Sequence, residues 1–253
     1  MSLLDVTHLN KHFGGLNVTN DVSLALEKGS RAALIGPNGA GKTTFVNLVT
    51  GHLRPDSGSV KIAGQDLTEA PPTRRVQAGL VRSFQVTRLF PEMNPKQHIA
   101  LALLQRQGRT ARLFTDYRAM PEIMDEAENI LALLDLQPIA HVPVSAIAYG
   151  QRRLLEIAIA MALNPKVLLL DEPAAGLSGH EIALVEKALD RLPPDLAVLM
   201  IEHDMDFVFR FARRVIVLAA GTVIFDGTPD EVAADPRVRT AYLGNYGDER
   251  SIA

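Results

Sequence analysis

The sequence predicts an α/β fold with a parallel core sheet, an antiparallel β patch and an inserted helical lobe. Three short apolar runs, at residues 31–36, 166–172 and 196–203, end in glycine or polar residues, as buried parallel strands do. Residues 21–29 alternate apolar and polar side chains, which indicates an antiparallel strand. Between about residues 86 and 163 the apolar positions recur with a helical period.

The first elements can be assigned in order along the chain. "DVSLALEKG" (21–29) is the alternating strand, and "RAALIG" (31–36) is the first buried strand. "GSVKIAGQDL" (58–67) has the pattern of a hairpin edge. "KQHIALALLQRQ" (96–107) and "PEIMDEAENILALLDL" (121–136) carry apolar residues at helical spacing, and they form the predicted lobe.

The later elements return to the α/β core. "KVLLLDE" (166–172) and "LAVLMIEH" (196–203) are predicted buried strands whose carboxyl ends deliver functional groups to a ligand crevice. Thr228 precedes Pro229, and Glu231 follows three residues later, which is the capping-box pattern of a helix start. We predict a single domain over 1–253. Its parts are a core over about 1–85 and 164–240, a lobe over about 86–163 and a tail over about 241–253.

Composition limits the classes of protein that the chain can represent. The 253 residues are 47% hydrophobic and 22% charged, a globular composition with enough chain to bury a core. The net charge of -3 gives no general reason to bind nucleic acid, so no nucleic-acid partner is expected. The absence of cysteine fits a reducing compartment. No signal peptide is recognisable, and no apolar run approaches the roughly 18 residues of a membrane span.

The strongest chemical signal is "GPNGAGKTT", which lies between a predicted strand and a predicted helix. Small residues let the backbone N–H groups surround a phosphate chain, and the helix that follows adds its positive dipole end. Lys42 would reach the β- and γ-phosphates, and the Thr43 hydroxyl would bind Mg²⁺. The full spacing disfavours an incidental glycine-rich turn. The predicted nucleotide-binding residues are Gly36, Pro37, Asn38, Gly39, Ala40, Gly41, Lys42, Thr43 and Thr44.

A second signal is the pair of acids that ends "VLLLDEP". Asp171 leaves a buried strand and would hold Mg²⁺ or its water shell. Glu172 is then placed to orient or deprotonate an attacking water. An Asp-Glu pair before proline is also an ordinary way to end a strand, and the pair alone leaves both interpretations open. The phosphate loop in the same chain favours catalysis.

Five motifs in this order resemble the ATPase subunit of an ABC transporter, a P-loop NTPase cassette, over essentially the whole chain. They are the phosphate loop, "SFQ" ending at Gln85, "AYGQRR", "LLLDEP" and "IEH" ending at His203. Within that superfamily, five segments are most similar to the branched-chain amino acid importer branch. These are "FGGLNVTNDVSL", "RLFPEM", "AYGQRRLLEIA", "IEHDMDFVF" and the tail that begins "GTPDEV".

The resemblance implies roles for further residues. Phe13 matches the aromatic that stacks on adenine, and Gln85 matches the glutamine that contacts Mg²⁺ and the attacking water. His203 matches the switch histidine that contacts the γ-phosphate. The signature motif, Ala148, Tyr149, Gly150 and Gln151, would face ATP that is held by a second subunit. The implied metal-binding residues are Thr43, Gln85 and Asp171, and the implied catalytic residues are Glu172, His203 and Gln85.

Two departures from the general pattern bear on the signature motif and on the loop after Glu172. Ala148 stands where the superfamily usually has a serine, and Tyr149 stands at the first glycine. A lost hydroxyl-to-phosphate bond is worth roughly 1.5–3 kcal/mol, while the helix dipole remains at about 0.3–2 kcal/mol. A weakened but working contact is therefore expected. Ser178 replaces an aspartate, which puts coupling between the two ATP sites in doubt.

The resemblance implies an ATP-hydrolysing subunit of an ABC importer for branched-chain amino acids or similar small carboxylates, with ATP and Mg²⁺ as cofactors. The implied partners are integral membrane permease subunits, a second ATPase cassette of the same or a homologous chain, and an extracytoplasmic substrate-binding protein. The implied location is the cytoplasmic face of the membrane.

Three other functions remain as alternatives. The first is the ATPase subunit of an exporter or of a lipid-extraction system. The second is a soluble ABC ATPase that acts on ribosomes or DNA, which a single cassette and the net charge of -3 disfavour. The third is a non-catalytic nucleotide sensor, which the presence of Gln85, Glu172 and His203 disfavours.

Overall fold

The computed structural model describes residues 2–83, 89–109 and 120–243, and for residues 242 and 243 it describes the backbone alone. The strands are β1 (Ser2–Phe13), β2 (Leu16–Glu27), β3 (Arg31–Ile35), β4 (Ser57–Ile62), β5 (Gln65–Asp66), β6 (Leu80–Ser83), β7 (Val167–Asp171), β8 (Ala197–Ile201), β9 (Arg214–Ala219) and β10 (Thr222–Gly227). The helices are α1 (Lys42–Thr50), α2 (Pro72–Ala78), α3 (Pro95–Arg106), α4 (Pro121–Leu133), α5 (Tyr149–Ala162), α6 (Gly179–Asp190), α7 (Met205–Phe211), α8 (Pro229–Ala234) and α9 (Pro236–Val238).

The strands form two sheets. The first has the order β2-β1-β4-β5, and all of its pairs are antiparallel. The second has the order β10-β9-β3-β8-β7-β6, and it is parallel except for the β9–β10 hairpin at its edge. The predicted parallel core and antiparallel patch are both confirmed.

The central strands are buried on both faces, which explains their continuous apolar sequences. Every residue of β7 and of β8 is buried. Along β7, Leu168 and Leu170 pack in one apolar cluster with residues of α3, α4 and α5. Val167 and Leu169 pack in a second cluster with residues of α1, β1 and β4. The parallel sheet therefore lies between a helical layer and the antiparallel sheet.

Helices α3, α4 and α5 contact one another and form the helical layer. Helix α3 starts at a capping box, where Asn94 Oδ1 accepts from Gln97 N–H at 2.9 Å and Gln97 Oε1 accepts from Asn94 N–H at 2.8 Å. Helix α4 ends before its apolar pattern does, because Asp135 adopts φ +56°. The predicted capping box before α8 is confirmed, since Glu231 Oε2 accepts from Thr228 N–H at 2.8 Å.

No helix in the described ranges has the length and apolar character required to cross a membrane.

Candidate nucleotide-binding site

The candidate site lies along the edge of the parallel sheet where its strands end. Strands β3, β8, β7 and β6 are neighbours and run parallel, so their carboxyl ends meet at one edge. Ile201 at the end of β8 pairs with Leu34 of β3 and with Asp171 of β7. The phosphate loop, Glu172 and His203 therefore leave the sheet at nearly the same level.

The phosphate loop requires glycine where neighbouring backbone crowds it. A Cβ on Gly36 would lie 2.0 Å from the Leu218 carbonyl oxygen, and one on Gly41 would lie 2.4 Å from the Val18 carbonyl oxygen. Gly41 also has φ +100°, a conformation that residues with a Cβ rarely adopt. The loop is tied to β9–β10 by the Gly221 N–H, which donates to Ala40 O at 3.0 Å.

The side chain of Lys42 folds back and donates hydrogen bonds to the start of the phosphate loop. Its Nζ donates to the carbonyl oxygens of Gly36 at 2.5 Å and Pro37 at 3.1 Å. Burial lowers the pKa of Lys42, while the negative charge of Glu172 acts in the opposite direction. Helix α1 begins at Lys42, so the first N–H groups of the helix lack intrahelical acceptors. A cation, free N–H groups and a tight glycine turn together fit a polyphosphate.

Asp171 is paired with an arginine that the sequence analysis did not single out. Arg82 Nη2 donates to Asp171 Oδ2, and Arg82 Nη1 donates to Asn47 Oδ1 at 3.0 Å. Arg82 thereby connects β6, the end of β7 and helix α1. Its signal in the sequence is a charged residue between the buried neighbours Val81 and Ser83 of a short strand.

Glu172 occupies a strained backbone conformation. Its φ is +47°, which for a residue with a side chain costs about 1–3 kcal/mol. The conformation is held because Glu172 N–H donates to Ile201 O at 2.8 Å and Ala175 N–H donates to Glu172 O at 3.1 Å. Arg153 Nη2, from helix α5, also donates to Glu172 O at 3.3 Å.

Glu202 is a second functional candidate that the sequence analysis did not identify. Its side chain is fully buried. One carboxylate oxygen accepts from Ala174 N–H at 2.9 Å, and the other accepts from His203 N–H at 2.8 Å and Asp204 N–H at 3.2 Å. The imidazole of His203 is 63% exposed at this sheet edge, with Nδ1 3.5 Å from Glu202 Oε2. Glu202 thus joins the loop after β7 to the loop after β8.

Phe13 lies on the antiparallel sheet, at the tip of the β1–β2 hairpin. The residue is 48% exposed, and Lys11 Nζ lies 5.7 Å from the ring centroid. Lys11 is itself paired with Asp56 at 2.7 Å. The second strand of the hairpin passes the phosphate loop at Val18, whose carbonyl faces Gly41. The aromatic ring is therefore carried by an element that borders the loop.

The signature residues form the start of helix α5. Gln151 Oε1 accepts from Ala148 N–H at 3.1 Å, which is one half of a capping box, and alanine has no hydroxyl to supply the other half. Gly150 N–H donates to Glu181 Oε1 at 2.8 Å, and Ser178 N–H donates to Glu181 Oε2 at 3.0 Å. Tyr149 is 52% exposed, and its ring borders Gly176. Glu181 therefore links the signature turn to the loop that follows Glu172.

The structure brings most of the predicted residues to one sheet edge. The residues of this edge are Gly36, Pro37, Asn38, Gly39, Ala40, Gly41, Lys42, Thr43, Thr44, Asp171, Glu172 and His203. The signature residues lie at the helix start already described, and Phe13 lies on the other sheet. Gln85 lies outside the described residues.

The fold and this loop define a P-loop ATPase cassette. Residues 19–175, more than half of the chain, match the model of the ABC transporter family, and the chain belongs to this family. It is accordingly an ATPase of the ABC type. Residues 222–248 match a second model, that of the branched-chain amino acid ATP-binding cassette transporters, so the resemblance to this branch is also confirmed.

Relatives match nearly the whole chain. The high-affinity branched-chain amino acid transport ATP-binding protein BraF of Pseudomonas aeruginosa is 38% identical over 96% of this chain and 98% of its own length. LivG of Escherichia coli K12, which bears the same description, is 39% identical with the same two coverages. A crystal structure of the ADP conformation of an ABC transporter cassette is 28% identical, with a TM-score of 0.82 over 96% of this chain and 99% of that chain.

Proposed function

We propose that the chain hydrolyses ATP to drive an importer of branched-chain amino acids or similar small carboxylates. The observation that carries the hydrolytic part is the meeting of the phosphate loop, Asp171, Glu172 and His203 at one edge of the parallel sheet. The similarity to relatives described as branched-chain amino acid transport ATP-binding proteins, over 96% of the chain, supports the choice of substrate.

In this proposal the chain's own residues divide the work of ATP hydrolysis. Lys42 leaves the two loop carbonyls for the β- and γ-phosphates, because charged phosphate oxygens are stronger acceptors than neutral carbonyls. Phe13 stacks on the adenine ring. Glu172 takes a proton from the attacking water, and His203 donates a hydrogen bond to the γ-phosphate as the bond to the leaving ADP breaks.

Thr43, Gln85 and Asp171 are the residues proposed to hold Mg²⁺. Hydroxyl, amide and carboxylate oxygens are the ligand types that this hard cation prefers. When bound, the metal ion neutralises charge on the β- and γ-phosphates. The chain keeps Asp171 in place through its contact with Arg82.

The proposed assembly contains more than this chain. Two cassettes would face each other so that the signature residues Ala148, Tyr149, Gly150 and Gln151 contact ATP held by the opposite subunit. Permease subunits would carry the substrate across the membrane, with the cassettes on its cytoplasmic face, and an extracytoplasmic binding protein would deliver it. The descriptions of the relatives as transport ATP-binding proteins support this arrangement.

A substitution of Glu172 tests the catalytic part of the proposal. Glu172→Gln preserves shape but removes the negative charge that accepts the proton, so ATP should still bind while hydrolysis falls roughly 10²–10⁴-fold. Binding would be followed by titration and hydrolysis by phosphate release, with the chain in complex with its membrane partners. Glu186→Gln is a matched control, since Glu186 of helix α6 forms an ion pair with Arg210 of helix α7. Wild-type turnover in Glu172→Gln would exclude Glu172 as the base.

Transport itself is tested with the complex in lipid vesicles. ATP supplied on the cassette side should drive labelled leucine towards that side, and Glu172→Gln should stop this movement. Leucine movement in the opposite direction, or ATP-driven extraction of labelled lipid without leucine movement, would contradict import and support one of the alternative transport functions.

A further inference from the structure

Arg82 connects Asp171, a proposed metal-binding residue, to the helix that follows the phosphate loop. Its guanidinium contacts Asp171 at the end of β7 and Asn47 in helix α1, the helix that begins within the phosphate loop. Both members of the ion pair are largely buried, since the side chain of Arg82 is 14% exposed and that of Asp171 is 12% exposed. In addition, Arg82 Nε is buried and has no acceptor among the described residues.

The ion pair between Arg82 and Asp171 has opposite effects without and with a metal ion. A buried carboxylate without a cation is strongly disfavoured, so Asp171 needs Arg82 as long as no other cation is present. A divalent cation at Asp171 would lie close to the guanidinium, and two like charges in a poorly hydrated site repel each other. The ion that arrives with the nucleotide must therefore either displace Arg82 from Asp171 or bind in spite of its charge.

We propose that Arg82 is a positioning residue that acts as the counter-ion of Asp171 in the nucleotide-free chain and thereby raises the Mg²⁺ concentration needed for nucleotide binding. This inference rests on the proposed role of Asp171. The link to Asn47 couples the exchange to helix α1, because movement of the guanidinium changes a contact of the helix that carries Lys42 and Thr43. Arg82 Nε has no acceptor among the described residues, so the contacts to Asp171 and Asn47 use only part of the donor capacity of the guanidinium.

The test compares the whole wild-type chain with Arg82→Gln and Arg82→Lys. ADP binding is titrated at a series of Mg²⁺ concentrations, and the thermal unfolding midpoint is measured in EDTA without nucleotide and in Mg²⁺ with ADP. In Arg82→Gln the half-saturating Mg²⁺ concentration should fall about tenfold, because the competing charge is gone. The same variant should unfold at a lower temperature in EDTA and regain more stability than wild type with Mg²⁺ and ADP.

Arg82→Lys keeps the charge but has no planar fork to contact Asn47 and Asp171 together. Its half-saturating Mg²⁺ concentration should fall by a smaller factor, about threefold, and this variant carries the test if Arg82→Gln does not fold. Arg214→Gln is the matched control, because Arg214 forms a two-point ion pair with Asp226 away from the sheet edge. It should leave the Mg²⁺ requirement at the wild-type value.

Three outcomes separate this inference from the proposed function. If the wild-type chain binds no nucleotide, the proposed function is wrong. If Asp171→Asn leaves the wild-type Mg²⁺ requirement unchanged, the metal role of Asp171 is wrong. If nucleotide binding and the effect of Asp171→Asn are both as expected, an unchanged or higher Mg²⁺ requirement in both Arg82 variants overturns the role of Arg82 alone. Equal loss of stability in EDTA and in Mg²⁺ with ADP would then mark Arg82 as a purely structural residue.

Discussion

Glu202 and His203 are adjacent in the sequence, but they lie in very different surroundings. His203 projects from the sheet edge, while the Glu202 carboxylate is buried under it and accepts three backbone N–H groups. The Ala174 contact fixes the loop that follows Glu172, and the other two contacts fix the turn that carries His203. We therefore infer that Glu202 positions His203 relative to Glu172.

Replacement of Glu202 by glutamine should slow hydrolysis more than it weakens ATP binding. The amide NH₂ group cannot accept a hydrogen bond, so at least one of the three N–H donors is left buried and unsatisfied at a cost of about 1–3 kcal/mol. The resulting shift of the two loops should lower kcat by roughly tenfold or more while the ATP affinity stays within about threefold of wild type. Kinetics in the assembled complex and a direct ATP titration would separate the two quantities.

Glu231→Gln is a suitable control, since Glu231 also accepts a backbone N–H but lies in the exposed capping box of α8. Loss of ATP affinity in proportion to kcat would show that Glu202 supports the fold of the whole site and does not position His203.

The residues of the site differ in how far the sequence predicts them. Lys42 and Thr43 are identified by spacing alone, because a phosphate loop is a local turn whose chemistry lies within nine consecutive residues. Arg82 and Glu202 act through partners that are distant in the sequence, or through backbone groups of another loop. No local pattern reports such contacts, so only the folded chain identifies these two residues.

The same distinction between local and distant information holds for whole elements. The buried strands β3, β7 and β8 were predicted because their apolar runs end in polar or glycine residues. The sequence analysis does not predict the β9–β10 hairpin, although Ala220 and Gly221 lie between two apolar runs. In the structure both residues have positive φ angles at the turn. Strand β6 has only four residues and an internal arginine, so it becomes recognisable as a strand only through its pairing with β7.

Among the helices, α5 has the clearest relation to the proposed function. Its first turn holds the signature residues, and Arg153 on the same helix donates to the Glu172 carbonyl. At the Gly150 N–H, Glu181 supplies a carboxylate, which is the kind of charge that a helix start attracts. Hydrogen bonds to Ser178 and Gly150 also lower the pKa of Glu181, so this carboxylate stays charged. A γ-phosphate from an opposite subunit would have to share this donor or replace Glu181.

Gly150→Asp should block ATP-driven pairing of two chains and leave ATP binding by a single chain intact. A Cβ at Gly150 would lie 2.8 Å from Glu181 Cγ, and the new carboxylate would add repulsion towards both Glu181 and a phosphate. ATP binding by the isolated chain should stay within about threefold of wild type, while ATP-driven dimerisation should fall at least tenfold. Titration and light scattering would measure the two effects.

Gly64→Asp is a control for the added charge, because no atom of the described residues lies within 4 Å of a Cβ built on Gly64. Its φ of +81° strains any residue with a side chain, so the unfolding temperature of this variant is measured as well. It should dimerise as wild type does. If Gly150→Asp lost ATP affinity in the monomer, the signature turn would serve the ATP of its own chain or support the fold of the phosphate loop.

At the scale of the whole molecule, one apolar cluster joins the helical layer to the sheet. Leu103 of α3, Leu131 of α4 and Leu155 of α5 share this cluster with Leu170 of β7. The signature helix is thereby packed against the strand that ends in Asp171 and Glu172. The helical layer and the strand that carries these two acidic residues are therefore in direct packing contact.

The proposal that each ATP site is shared between two chains makes a prediction that only the assembly can test. Gly150→Asp and Lys42→Ala each inactivate a homodimer, because every shared site then carries one lesion. In a mixed dimer one site combines Lys42 of the first chain with Gly150 of the second and is intact, while the other site carries both lesions. Mixing the two inactive chains should therefore restore part of the ATPase activity, provided that the chain can pair with itself.

The control mixture joins Lys42→Ala with Glu172→Gln. Lys42 and Glu172 both lie at the sheet edge of one chain, and the charge of Glu172 acts on the pKa of Lys42. Each site of that mixed dimer keeps one lesion, so no activity should return. Phosphate release measured over a range of mixing ratios would compare the two mixtures directly. Where the two variants form a mixed dimer, recovery in neither mixture would mean that the signature turn does not act on ATP across the interface. Recovery in both would mean that Lys42 and Glu172 serve different sites.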